Sequence, residues 1–133
     1  MPVTWEIRNS VLIVTLIGYY ALDEPMQAVT DALADSRFRT GMSLLIDARS
    51  SLVNPSSEAV RARAKSIASL RSSGFSSRCA IVVGSEPHQY GIGRMEATYL
   101  EIEGLEVKIF TDLGEAWGWL SDGNAFGTAS GGH

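Results

Sequence analysis

Three stretches of this chain are apolar at both odd and even positions: residues 11–17 (VLIVTLI), 43–48 (SLLIDA) and 78–84 (RCAIVVG). Successive side chains of a strand point to opposite faces of its sheet. Runs of this kind therefore belong in the interior of a sheet covered on both sides, which is the habit of parallel sheets in α/β domains. Two other stretches alternate. Residues 3–8 set Val3, Trp5 and Ile7 against Thr4, Glu6 and Arg8, and residues 106–110 read EVKIF. Alternation of that sort suits edge strands with one wet face.

Between the strands the apolar period lengthens to that of a helix. Asp23-Glu24-Pro25 opens the first, with the aspartate placed to cap free amides, proline tolerated in the first turn, and Met26, Val29 and Leu33 facing in. A second runs from about residue 57 to 72. A third starts after Pro87 and reaches about residue 103, with Met95, Tyr99 and Ile102 as its inner stripe. The last has Asp112 and Glu115 at capping-box spacing, followed by Leu113, Trp117 and Leu120 facing in.

The predicted order is β-β-α-β-α-β-α-β-α. Asn9-Ser10 turns the first two strands into an antiparallel hairpin, and the rest of the sheet is parallel. Placing the alternating strands at the edges gives the order 1-2-3-4-5. Right-handed crossovers that each step to the next strand put the helices, four in all, mainly on one face. The other face would then be a bare apolar sheet, larger than a monomer leaves in water. A second copy forming a homodimer, or a packed loop or tail, is expected to cover it.

With 133 residues the chain makes one domain, here placed at residues 1–122, followed by a flexible Gly/Ser/Ala-rich tail at 123–133 in which only Phe126 is able to dock. A net charge of −4 argues against a general nucleic-acid binder. The single cysteine, Cys79, has no internal disulfide partner and lies in a buried strand, so it is expected to be inert and the default compartment is a reducing cytoplasm. No signal peptide or run near the ~20 apolar residues of a membrane helix is visible.

The most informative segment runs from 43 to 65. A buried strand ends on Asp47, a polar loop (49–54) offers Leu52 and Val53, and Ser56-Ser57-Glu58 opens a helix carrying Arg61, Arg63 and Lys65. Strand ends that open onto helix N-termini are where α/β domains place ligands and partners.

The β-β-α-β-α-β-α-β-α order, the strand LLID, Tyr90-Gly91-Ile92-Gly93-Arg94-Met95, and the ending Val107-Lys108-Ile109-Phe110-Thr111-Asp112 … Glu115-Ala116 … Trp119-Leu120 resemble the SpoIIAA-like (STAS/SEC14-type) small domains of bacteria. The resemblance covers residues 3–120. It implies a βα superhelix with helices on one face and a cytoplasmic regulatory or ligand-binding module rather than a well-defined enzyme. It also implies a phosphorylatable serine at the start of the helix after the LLID strand. The matching place here reads Asn54-Pro55-Ser56-Ser57-Glu58, without the glycine that follows in that motif.

Ser56 and Ser57 are thus either helix caps or phosphorylation sites. Arg63 falls inside an apolar stripe with Val60, Ile67 and Leu70, so it either snorkels or pairs with Asp47 or a bound anion. Asp47 itself is a turn or capping acceptor rather than a catalytic acid. Tyr90 and Arg94, four residues apart on the third helix, are candidates to hold an anionic headgroup at the same sheet edge. Trp119 lies outside its helix's inner stripe and is either a cover for the sheet margin or an interface anchor. No cofactor is called for: the G-x-G of Gly91 and Gly93 lacks the rest of a dinucleotide fingerprint, and no residue cluster has metal-ligand spacing.

These residues suggest first a non-enzymatic interaction module that docks a protein partner through residues 49–54 and the helix at Ser56. A small binding domain for an acyl or other amphipathic ligand, with its anionic end at Arg63, Tyr90 and Arg94, is the alternative. A hydrolase-like enzyme ranks third, since His88 has no legible nucleophile partner.

Overall fold

In a computed structural model, which describes residues 2–76 and 78–129, the chain forms a single five-stranded sheet in the order β1-β2-β3-β4-β5. The strands are β1 (Val3–Arg8), β2 (Val11–Gly18), β3 (Ser43–Ser51), β4 (Arg78–Val82) and β5 (Glu106–Phe110). β1 pairs antiparallel with β2 about a turn in which Asn9 takes φ 55°, and the remaining pairs are parallel. The order and directions agree with those read from the apolar patterns.

The helices are α1 (Glu24–Leu33), α2 (Ser57–Ser69, continued by a 3-10 turn Leu70–Ser73), α3 (Pro87–Ile102) and α4 (Leu113–Ala129). Local caps differ in part from expectation. Ser56 caps α2, its Oγ accepting the Ala59 N–H at 3.1 Å. Asp23 precedes α1 but makes no side-chain cap bond; Glu24 instead accepts the Ala21 N–H at 2.7 Å. The α4 helix passes residue 123, where the sequence predicts the tail to begin, and runs to Ala129. Residues 130–133 and the Phe126 side chain lie outside what the structure describes.

The larger core lies between the sheet and α1, α2 and α3, built on Leu12, Val14, Leu44, Ile46, Cys79 and Ile81 from the strands. The opposite face, with Val11, Ile13, Leu45, Ala80 and Val82, is covered by Ala116 and Leu120 of α4. Three of the four helices thus share one face, as expected of most of them, and α4 takes the other. The right-handed rule governs connections between parallel strands, and α1, α2 and α3 obey it. No strand follows α4, so nothing constrains its side, and it packs where apolar surface remains. A second copy is not needed to bury that face.

Flanking residues fix how α4 sits. Arg8 lies over the Trp117 ring at 5.8 Å, while Arg78 and Lys108 approach the Trp119 ring at 4.7 and 5.5 Å. Arg78 also donates to the Trp119 carbonyl at 3.1 Å, and Phe110 packs on the Trp119 ring. Trp119 thus covers the β4–β5 margin of the sheet.

Candidate functional site

The β3 strand does not stop at Ala48. After an irregularity between Thr15 and Ile17, β2 and β3 stay paired through Ile17–Ser50 and Gly18–Ser51, and Leu52 N–H donates to the Gly18 carbonyl at 2.9 Å. The expected polar loop at 49–54 is therefore a strand extension over its first half. Gly18 ends β2 at φ 65°, a left-handed conformation that glycine adopts without strain. The extension and the residues just past its two ends put three large apolar side chains into water: Ile17 on the strand, and Tyr19 and Leu52 beyond it, are 47, 75 and 58% exposed. Val53, by contrast, turns partly inward and lines a cleft.

That cleft opens at the C-terminal edge of the sheet, between α2 and α3. Leu16, Val53, Pro55, Ile81, Val83 and Ile92 form much of its wall, and Arg63 with Glu96 forms its polar floor. Tyr20 shares a hydrogen bond with Ser51 Oγ at 2.8 Å, and Gln89 Nε2 donates to the Ser51 carbonyl at 3.1 Å, which ties the rim to β3. The interior measures about 30 Å³. That is room for a water or two and far below the few hundred Å³ of a pocket for a drug-sized ligand.

Arg63 Nε donates to Glu96 Oε2 at 2.7 Å, and the two side chains are 11 and 5% exposed. The two helices meet on matching patterns: Val60, Arg63, Ala64 and Ile67 on α2, and Gly93, Glu96, Ala97 and Leu100 on α3. This corrects the predicted α3 stripe. Met95 and Tyr99 are only half-buried and Ile102 is 71% exposed, because the buried face lies one residue further round the helix. Gly93 lets α3 lie close on the sheet: a Cβ there would stand 2.9 Å from Val83 Cγ1.

Asp47 does not meet Arg63. Alternation along β3 puts Ala48 on the cleft side and Asp47 on the α4 side. The Asp47 carboxylate instead binds Arg49, with Nε at 2.9 Å, Nη2 at 2.8 Å and the backbone N–H at 3.2 Å. The hydrogen bond that Arg49 donates to Asp47 raises the Arg49 pKa against the opposing cost of burial, with smaller Coulombic help from Asp47 and Asp112. Asp47 therefore anchors Arg49 within β3, at the point where the pairing with β4 ends.

Tyr90 and Arg94 are also separated from Arg63. They line an open groove between α3 and β5 with Thr98, Glu101 and Val107, whereas the cleft receives Gln89, Ile92, Gly93 and Glu96. An anionic site made of Arg63, Tyr90 and Arg94 together is not assembled. Ser56 and Ser57 are both exposed, next along the chain from the cleft residues Val53 and Pro55.

Cys79 is fully buried, and burial, with a smaller contribution from the Glu96 charge, pushes its thiol pKa far up. Among the described residues no group of three or more His, Cys, Asp and Glu side chains converges as metal ligands would, and no helix is long and apolar enough to cross a membrane. Glu96 is the functional candidate that sequence reasoning passes over. Its signal was an acidic residue between Gly93 and Ala97 at the same spacing as Arg63 in α2.

No family model matches the chain, and no curated protein matches it. Among solved structures it is similar to the crystal structure of an uncharacterized protein of the DUF3478 family with a SpoIIAA-like fold, from Shewanella loihica PV-4. The TM-score is 0.56 at 21% identity, over 89% of this chain and 91% of that one. The domain thus has a SpoIIAA-like fold, with α4 as the cover of its second face.

Proposed function

We propose that this domain is a non-enzymatic interaction module of the cytoplasm that docks a protein partner at the β2–β3 tip. The observation that carries this reading is the exposure of Ile17, Tyr19 and Leu52 at and just past the paired ends of β2 and β3. Large apolar side chains displayed on a rigid strand end cost little order on binding, and such residues act as anchors of interfaces. Arg49, held by Asp47, supplies a fixed charge beside them. Ser56 and Ser57 flank this edge, so a phosphate on either would add charge close to Leu52 and weaken an apolar contact.

An acyl ligand is disfavoured by the small interior of the cleft. A protein partner needs no interior. The test compares the wild type with Leu52→Asp as bait in the host lysate, followed by identification of the bound proteins. Leu52 is exposed, so the variant keeps its circular dichroism and melting temperature. The expected result is a defined protein that is retained by the wild type and lost, at least tenfold, from the variant. Equal retention by both baits would place the contact elsewhere.

A further inference from the structure

The Arg63–Glu96 pair is unusual in how little of it is satisfied. A buried arginine and carboxylate ordinarily form a two-pronged contact, and the exposed pairs Arg37–Asp35 and Arg49–Asp47 in this molecule do so, each with two guanidinium nitrogens engaged. In Arg63 only Nε donates, to Glu96 Oε2. Among the described residues neither Arg63 Nη nor Glu96 Oε1 has a protein partner, although both side chains are about nine-tenths buried. Buried polar atoms left in that state are costly, and an ion pair of this kind is often no more stable than apolar residues of the same volume. Packing alone therefore gives no reason for the pair. Both residues line the cleft and also a smaller apolar cavity behind it, beside Pro25, Met26 and Val29, which offers them no polar partner.

We infer that the pair is a recognition floor for a small neutral ligand that ends in a primary carboxamide. Arg63 and Glu96 cancel each other's charge, so an anion entering the cleft would gain a donor from one and meet repulsion from the other. A group with an acceptor and a donor side by side satisfies both: the amide carbonyl takes an Arg63 Nη–H, and the amide N–H₂ gives to Glu96 Oε1. The interior of about 30 Å³ is the right scale for such a head and too small for a chain. A compact apolar body would lie outward against Val53, Pro55 and Ile92. This site is distinct from the docking tip at Leu52, and either can fail without the other.

Benzamide and benzoate, equal in shape and different in charge, are the probes. In ¹H–¹⁵N correlation spectra, benzamide is expected to shift the Val53 and Gly93 amides and the Arg63 Nε–H in a saturable manner. Benzoate should bind at least tenfold more weakly. In Glu96→Gln, Arg63 loses its counter-charge, and benzoate affinity should rise at least tenfold over the wild type. The double variant Arg63→Met/Glu96→Leu should fold and lose benzamide binding by at least tenfold. Absence of benzamide shifts in the wild type, benzoate binding as tightly as benzamide, unchanged benzoate affinity in Glu96→Gln, or full benzamide binding by a folded double variant would each overturn the assignment. If the double variant does not fold, the two probes on wild type and Glu96→Gln decide alone.

Discussion

The two faces of the sheet are buried by different means. On one, α1, α2 and α3 are crossover helices whose position follows from the handedness of the strands they join, and the layer they form retains a cleft and an ion pair. On the other, a single terminal helix lies on Val11, Ile13, Leu45, Ala80 and Val82 with Ala116 and Leu120, and cations over Trp117 and Trp119 brace its flanks. The first face is constrained by topology and can carry polar groups between its helices. The second is held by the burial of a few side chains and by those flanking contacts, so its stability should depend on a few residues.

The sharpest way to break this contrast is at Arg63. Arg63→Ala leaves Glu96 buried without its partner and should cost about 3–5 kcal/mol, while Arg63→Met with Glu96→Leu should be close to neutral. Urea midpoints of both variants check this, and equal losses would mean the pair is structural after all. On the opposite face, Leu120→Ala opens a cavity under α4 and should cost about 2–5 kcal/mol, with the exposed sheet promoting self-association in sedimentation. A variant that sediments as the wild type does and loses under ~0.5 kcal/mol would show that α4 is dispensable as a cover.

A smaller effect separates tight from loose helix packing. Gly93→Ala should cost about 1–3 kcal/mol, because its Cβ would crowd Val83 at 2.9 Å. Gly91→Ala meets nothing within 4 Å and should stabilise by about 0.4–1 kcal/mol. Thermal melts of the two variants should move in opposite directions.

The smallest expected effect is at the surface, where the Arg37 guanidinium holds the Asp35 pKa down at about 2, against an ordinary 3.8. The folded-state value is depressed, so this contribution is present above about pH 4 and is lost as pH falls through about 2. Asp35→Asn should lack that part of the acid dependence when denaturation midpoints are followed down the pH scale.

The strand order was legible because apolar residues on both faces have one place to go, and the edge strands showed their wet sides in the alternation of Thr4, Glu6 and Arg8. The side taken by α4 was not, since handedness governs crossovers and α4 is not one. The site was half legible. Ser56 as a cap and Leu52 as an exposed side chain follow from local chemistry. Arg63 stood out because a charge interrupts an apolar stripe. Its partner was missed because Met95, Tyr99 and Ile102 suggest a stripe of large apolar residues, while the buried face of α3 uses glycine, alanine and a paired glutamate. Tyr90 and Arg94 lie on the same helix as Glu96, but one residue of helical rotation sends them to another groove.

The proposed docking tip is tested most directly by hydrogen–deuterium exchange of the wild-type domain, alone and with the protein that its bait recovers. Protection confined to residues 17–19 and 50–53 is the predicted result. Protection on α4 with residues 17–19 and 50–53 unchanged would contradict it.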